Sequence, residues 1–172
     1  MRRLVAVAAI MALFVLQLAL ADWQLNQSAP NLLLAYLCVA LLFRPLQEVL
    51  AYALLAGVLM DLFSGLPDGV LTASLAAGLS SSYYFSQIFS TEKLSNFLLV
   101  FYVLLATAFF SAIMIVLTYA LSWVGVGAPV PILPYKLVTD AILNLIAAFP
   151  VYLFVLQQEK IERKFSAKHE PV

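Results

Sequence analysis

Residues 57–69 read Gly-Val-Leu-Met-Asp-Leu-Phe-Ser-Gly-Leu-Pro-Asp-Gly, and they place one carboxylate, Asp61, near the end of a long apolar run. An ionisable side chain in such a run is costly to keep in a hydrocarbon environment, so it indicates a site and calls for a polar partner. Gly65 and Gly69 bracket the pair Pro67-Asp68, which predicts a tight turn directly behind the carboxylate. The run and the turn together predict the end of one helix and the reversal into the next.

The composition indicates a bilayer rather than water as the solvent of this chain. Of the 172 residues, 65% are hydrophobic and only 10% are charged, whereas about 25% of the residues of a soluble domain are charged. The formal net charge is zero, so nothing points to nucleic acid as a partner. The chain has one cysteine, Cys38, and one histidine, His169, so we expect no intrachain disulfide and no bound metal or other cofactor.

Apolar runs separated by polar or proline-containing breaks predict an all-α, polytopic membrane protein with six transmembrane helices. The first run is longer than the ~7–15 residues of a secretory h-region, so we expect an uncleaved helix. The second run is short for a span and should have Ser28 or Ala29 near its N-cap. One transmembrane domain, residues 1–156, is expected to precede a C-terminal tail, residues 157–172. The predicted helices cover residues 4–21, 30–43, 46–63, 70–89, 94–123 and 135–156.

The distribution of lysine and arginine predicts the orientation. With six spans both termini lie on one side of the membrane, and of the nine basic residues only Lys136 falls on the other side. Such a bias places the N- and C-termini in the cytoplasm. The residues on the cytoplasmic side are Arg2, Arg3, Arg44, Lys93, Lys160, Arg163, Lys164 and Lys168.

This topology brings several polar residues to a similar depth. Lys136, Asp140 and Asn144 follow one another at four-residue spacing, which puts them on one face of the sixth helix. Asp61 lies near the outer end of the third helix, where the helix dipole disfavours an anion, so it needs a donor. We expect Lys136 or the backbone N–H groups of residues 65–69 to supply it. Asp61 then acts either as a local cap of the turn or as part of a ligand or partner site.

Two segments of the chain resemble a known family. Pro30-Asn31-Leu32-Leu33-Leu34 is followed by Gly57-x-x-x-Asp61-Leu62-x-Ser64-Gly65-x-x-x-Gly69, and this combination is similar to the bacterial rod shape-determining protein family MreD. The layout of spans and short tails is similar along the whole chain, whereas the specific motif covers only residues 30–69. Ala29 departs from the basic or polar residue that often precedes the motif. The motif makes these residues candidates for structural or partner roles: Pro30, Asn31, Gly57, Asp61, Gly65 and Gly69.

The resemblance implies a non-enzymatic scaffold of the cell-elongation machinery in the bacterial inner membrane. Proteins of this family bind MreC, a single-span protein with a periplasmic domain. Through MreC they influence the peptidoglycan glycosyltransferase RodA, its class B penicillin-binding protein and the actin-like MreB filament. The implied fold is similar to that of the substrate-binding subunits of energy-coupling-factor vitamin transporters.

Other functions give the same residues different roles. A small-molecule-binding transporter subunit would line an outer pocket with polar and aromatic side chains. An aspartyl protease would pair Asp61 with Asp140, but the lysine adjacent to Asp140 argues for ion pairing instead. No enzyme activity is therefore expected. The pocket would be lined by Asp61, Trp123, Lys136, Asp140 and Asn144.

A scaffold that grips a partner helix in lipid needs a surface on which two backbones can approach closely. Small residues recur on the third helix at Ala53 and Gly57, and on the fourth helix at Ala73, Ala77 and Gly78. We expect these two stripes to face the lipid and to form the groove for the partner helix.

Overall fold

The computed structural model of the protein describes residues 2–21, 29–89, 95–131 and 134–167, and the described residues form six α-helices. The prediction of an all-α fold is confirmed. The helices are α1 (Arg2–Ala21), α2 (Leu32–Ala40), α3 (Leu46–Ser64), α4 (Val70–Phe89), α5 (Ser95–Trp123) and α6 (Pro134–Ala167).

Three of the described helices are long and apolar enough to cross a membrane. These spans are Leu46–Ser64 in α3, Leu98–Trp123 in α5 and Pro134–Lys160 in α6. Helix α1 contains a shorter apolar stretch, Leu4–Leu20, and α4 is as long as α1 but carries more serine and tyrosine. The three long helices fit a membrane protein, and the number of six crossings stays a prediction.

The second helix is shorter than its sequence indicated. Helix α2 has nine residues, all of them buried, and at 1.5 Å per residue it is about 14 Å long, roughly half of the hydrocarbon core of a bilayer. The predicted cap at Ser28 or Ala29 is wrong. The N-cap is Asn31, whose side chain accepts a hydrogen bond from Leu34 N at 2.9 Å. Asparagine is favoured there because its oxygen reaches an N–H group that has no partner within the helix.

Helix α2 lies at the centre of the bundle. In the described part of the chain it packs against α1, α3, α4, α5 and α6. Tyr36, Leu33 and Leu37 of α2 are among the largest side chains that are fully buried. Since other helices surround α2, its sequence is apolar on every side and shows no amphipathic pattern.

The turn between α3 and α4 has the predicted form. Gly65 ends α3 with a left-handed φ of +66°, and Gly69 adopts a φ of +87° just before α4 begins. Glycine adopts this conformation without the steric penalty that a side chain would bring. The four-residue spacing of the two glycines therefore reverses the chain and sets α4 beside α3.

The prediction of a lipid-facing groove of small residues is wrong for Ala53, Gly57 and Gly78, whereas Ala73 is exposed and Ala77 is half-buried. Ala53 and Gly57 are buried, and a Cβ placed on Gly57 would lie 2.8 Å from Oγ1 of Thr72 in α4. Gly78 is also buried, and its Cβ would lie 3.1 Å from the backbone nitrogen of Phe110 in α5. Gly57 and Gly78 let α4 approach α3 on one side and α5 on the other, so these two glycines serve packing within the bundle.

The two ends of the bundle are closed by contacts between distant parts of the chain. At one end, a Cβ placed on Gly127 would lie 2.9 Å from Cγ of Pro67, so the loop after α5 touches the turn after α3. At the other end, α6 continues as one helix through Pro150 and past residue 156 to Ala167. Glu159 is only 8% exposed, so the beginning of the predicted tail is part of the packed bundle.

The close contact at Gly57 predicts a strong effect of substitution. Gly57→Leu is expected to destabilise the protein by ~1–3 kcal/mol or more, because the new side chain collides with α4. Ala51→Leu is the matched control, since Ala51 is exposed on the same helix. The measurement is the thermal unfolding midpoint in detergent, together with the alkylation rate of the buried Cys38 thiol. Equal midpoints for the two variants would contradict the packing described above.

Candidate functional site

Asp61 in the last turn of α3 is bonded to the first turn of α4. Its Oδ1 accepts a hydrogen bond from Leu71 N at 2.8 Å, and its Oδ2 accepts bonds from Thr72 N at 3.1 Å and Thr72 Oγ1 at 2.6 Å. Helix α4 begins at Val70, so Leu71 and Thr72 carry N–H groups that have no partner within their own helix. Asp61 caps the following helix from the end of the preceding one.

This arrangement explains how a carboxylate is kept in an apolar helix. The side chain is 8% exposed, and three donors together with the positive end of the α4 dipole stabilise its negative charge. Both predicted donors are wrong. The N–H groups come from the first turn of α4 rather than from residues 65–69, and among the described residues no hydrogen bond or ion pair joins Asp61 to Lys136.

Ser64 completes the connection between the two helices. Its Oγ accepts a hydrogen bond from Leu66 N at 3.1 Å and donates one to the carbonyl oxygen of Asp61 at 3.3 Å. Two side chains from the end of α3 therefore fix the connection: Ser64 bonds to the turn, and Asp61 bonds to the start of α4. Of the two roles left open for Asp61, the structure shows the local cap.

Asn31 and Asn144, both predicted as site residues, lie in direct contact. Asn31 N donates to Oδ1 of Asn144 at 2.6 Å, and Nδ2 of Asn144 donates to Oγ1 of Thr107 at 3.1 Å. Asn144 is 2% exposed, and the hydroxyl of Thr107 in turn donates to the carbonyl oxygen of Val103. One amide side chain of α6 thus connects the start of α2 to the middle of α5.

A third side chain takes part at the start of α2. Oε1 of Gln17 in α1 accepts a hydrogen bond from Leu33 N at 3.2 Å. Three N–H groups at this end therefore have acceptors: that of Leu34 bonds to Asn31, that of Leu33 to Gln17 of α1 and that of Asn31 to Asn144 of α6. Neither Gln17 nor Thr107 was predicted as a site residue. In the sequence each of them is a single polar residue in an apolar run, and such a residue gives no indication of its hydrogen-bond partner.

The other predicted site residues lie near helix starts. Pro30 is half-buried beside the N-cap of α2, and Lys136 and Asp140 are half-buried in the first two turns of α6. The four-residue spacing from Lys136 to Asn144 does put them on one helix, and the hydrogen bond to the start of α2 comes from Asn144. The predicted pocket lining is not assembled, because Trp123 is 87% exposed and Asp61 is bonded to α4.

A buried ionic cluster that was not predicted from the sequence joins the opposite ends of these helices. Arg44 follows α2, and its side chain is only 1% exposed. Its Nε donates to Oε1 of Glu159 at 3.2 Å, and its Nη1 donates to Oε1 of Glu48 and to the hydroxyl of Tyr52, both at 3.1 Å. The Tyr52 hydroxyl donates to the same Glu48 oxygen at 2.8 Å. We call Arg44, Glu48, Tyr52 and Glu159 the Arg44 cluster.

The Arg44 cluster ties the α2–α3 connection to α6. Phe43 and Tyr152 add a ring contact beside it, with centroids 6.0 Å apart. The pair Arg44 and Glu48 was visible as an i,i+4 spacing. Glu159, however, lies 115 residues further along the chain. Only the fold brings it to Arg44.

The described residues define an all-helical bundle with three helices long and apolar enough to cross a membrane, in which internal polar groups join helix ends to neighbouring helices. No protein-family model matches the chain, and no curated protein or solved structure shows significant similarity to it. Among the described residues no group of three or more His, Cys, Asp or Glu side chains is placed to hold a metal ion. The MreD resemblance therefore rests on the motif of residues 30–69 and on the layout of helices and tails along the chain.

The cap geometry predicts graded effects at Asp61. Asp61→Asn retains one acceptor oxygen for the α4 N–H groups, whereas Asp61→Ala removes both, so we expect stability to fall in the order wild type, Asn, Ala. The loss for Ala should be ~1–2 kcal/mol, as for other helix caps. The measurement is the thermal midpoint in detergent. Asp68→Asn is the control, since Asp68 is exposed in the same turn; a larger effect there than at Asp61→Ala would refute the cap.

The start of α2 predicts a second effect. Asn144→Leu leaves the N–H group of the half-buried Asn31 without its acceptor, which should lower the free energy of unfolding by ~1–3 kcal/mol. The alkylation rate of the buried Cys38 thiol in α2 should rise in parallel, because the helix loses its anchor on α6. Thr139→Ala on the surface of α6 is the control, since its hydroxyl bonds only within its own helix. An unchanged alkylation rate in the Asn144 variant would show that α2 does not depend on this bond.

Proposed function

We propose that the protein is a non-enzymatic scaffold of the bacterial cell-elongation machinery, of the MreD type, that crosses the inner membrane six times with both termini in the cytoplasm. It binds MreC, and through MreC it acts on RodA, the class B penicillin-binding protein and MreB. In this way it helps to control peptidoglycan synthesis and rod cell shape. Its fold is then of the kind found in the substrate-binding subunits of energy-coupling-factor transporters.

The observation that carries this proposal is the motif between residues 30 and 69. Its polar and glycine residues each have a structural role, since Asn31 caps α2, Gly57 admits α4, Asp61 caps α4 and Gly65 ends α3. A motif in which these four residues stabilise helix ends and helix contacts suits a protein that acts through its shape. It offers no free nucleophile, acid or base to a substrate.

The surface around the α3–α4 turn supports a role in binding. Leu62 and Phe63 are 68% and 64% exposed at the end of α3, and Trp123 and Val124 are 87% and 73% exposed at the end of α5. These side chains belong to the same end of the bundle, because Gly127 touches Pro67. On the proposed topology this end faces outward, where the stem of a single-span partner leaves the membrane.

The alternative of a vitamin-binding transporter subunit is less well supported. Its expected lining depended on Asp61 and Asn144, whose hydrogen bonds go to α4 and to α2 and α5. Trp123 would also have to enter the pocket, although it is 87% exposed. A scaffold needs no pocket lining, so the observed positions of these side chains are compatible with it.

The test is co-purification of the untagged chain with affinity-tagged MreC of the same organism after co-expression. We expect the wild-type chain to be retained, and the double variant Leu62→Ala/Trp123→Ala to be retained less. The control is Leu153→Ala/Phe149→Ala, which removes an exposed leucine and an exposed aromatic residue from α6.

Two outcomes would contradict the proposal. The first is no retention of the wild-type chain by MreC. The second is a small organic molecule that leaves the purified chain on denaturation in an equimolar amount, which would identify the carrier instead.

A further inference from the structure

The connection between α5 and α6 folds back along the helix that it leaves. Val126 N donates a hydrogen bond to the carbonyl oxygen of Leu121 at 2.9 Å, and Val130 N donates one to Oγ1 of Thr118 at 3.4 Å. Thr118 lies five residues before Trp123, the last residue of α5. At 1.5 Å per residue, the chain has therefore returned along α5 by ~8 Å when it reaches Val130. We call residues 124–131 the fold-back segment.

The fold-back segment exposes apolar side chains and carries no charge. Val124 and Val126 are 73% and 46% exposed, and every residue from 124 to 131 except Val130 is exposed. The whole stretch from residue 94 to residue 135 contains no charged side chain. This composition is unusual for a loop that faces bulk water, since such loops are built from polar residues.

The backbone donors of the fold-back segment are paired or absent at most positions. Pro129 and Pro131 have no N–H group, and four other N–H groups of the segment donate to oxygens of α5. Six of the eight residues therefore have no unpaired N–H group. Such pairing within the protein is needed where water is scarce, whereas bulk water itself serves the N–H groups of an ordinary loop. The four bonded residues are Val124, Gly125, Val126 and Val130.

The length of α5 brings its end to the level of the lipid headgroups. The candidate span Leu98–Trp123 has 26 residues, so it is ~39 Å long and exceeds the ~30 Å hydrocarbon core even at the average tilt of ~20°. At least one end of α5 therefore enters the headgroup layer. At the end beside the fold-back segment, Tyr119, Trp123 and Tyr135 are 39%, 87% and 54% exposed. Tyrosine and tryptophan are enriched at headgroup level because their rings are apolar and their tips are polar.

We propose that the fold-back segment lies in the headgroup layer of the bilayer, where phospholipids cover its apolar side chains. That layer is ~5–8 Å thick on each side of the hydrocarbon, which matches the ~8 Å by which the chain returns along α5. The occupant is lipid, because the segment is uncharged, pairs its backbone donors internally and continues an apolar span. This inference does not depend on the proposed cell-elongation role. A partner stem that leaves the membrane beside Trp123 would cross the same layer.

The test uses a fluorescent nitrobenzoxadiazole label on the full-length protein in phosphatidylcholine nanodiscs, without any partner. The label is attached to Val126→Cys in the fold-back segment. Val116→Cys is the lipid control, since Val116 is 65% exposed within the candidate span of α5. Asp68→Cys is the water control, since Asp68 is a charged, exposed residue of the α3–α4 turn at the same end of the bundle. Labelling of the wild type measures the background from the buried Cys38.

We expect the label at position 126 to emit at a shorter wavelength than the label at position 68. Phosphatidylcholine with a spin label at the start of its acyl chain should quench it as it quenches the label at position 116, and aqueous iodide should quench it several-fold less than the label at position 68. Equal iodide quenching at positions 126 and 68 would overturn the proposal, because the segment would then face water. Protection from both quenchers would also overturn it, because a second copy of the chain would then cover the segment.

Discussion

A short helix buried on all sides must have its terminal backbone groups satisfied by protein, and the rest of the structure follows from this requirement. Leu33 and Leu34 in the first turn of α2 are fully buried, so their N–H groups are shielded from solvent and need partners within the protein. Gln17 and Asn31 accept their hydrogen bonds, and Asn144 accepts the one from Asn31 N. Each of the three comes from a different part of the chain. The apolar helix α2 can therefore lie at the centre because polar side chains of α1 and α6 accept the hydrogen bonds of its first N–H groups.

The N–H groups at the start of α4 also need acceptors, and these come from the end of α3. There a carboxylate supplies both oxygens to the helix that follows it, so the most costly group in the span also removes two unpaired N–H groups. The dipole of α4 favours a negative charge at this point, whereas the dipole of α3 does not. The position of Asp61 is understandable only when both helices are considered, because the favourable end belongs to the second helix.

The sequence was sufficient for elements whose causes are local. Apolar run lengths predicted α3, α4 and α5 to within a residue or two, and Gly65 and Gly69 predicted the turn between α3 and α4. Asn31 was chosen as a site residue, but its role as N-cap was assigned to its neighbours, because proline at position 30 suggested an earlier helix start. The motif residues proved structurally important, although Gly57 was expected on the outside of the bundle.

The contacts that the sequence did not predict join residues that are far apart in the chain or depend on the packing of two helices. The partners of Asn31 and Arg44 lie 113 and 115 residues away, and a pattern within one helix contains no information about such pairs. Lysine at position 136 looked like the natural partner of Asp61 by charge and depth, but nearby backbone donors satisfied the carboxylate. At this buried position, peptide groups at a helix start compete successfully with side-chain cations.

Helix α6 holds α2 at both ends, through Asn144 near its start and through Glu159 just beyond its finish. These two residues are separated by about 22 Å along one continuous helix. Helix α6 therefore runs alongside α2 and contacts the chain at both of its ends. A slide or twist of α6 would strain the two fastenings together. A displacement of the C-terminal part of α6 is therefore opposed by contacts at both ends of the central helix.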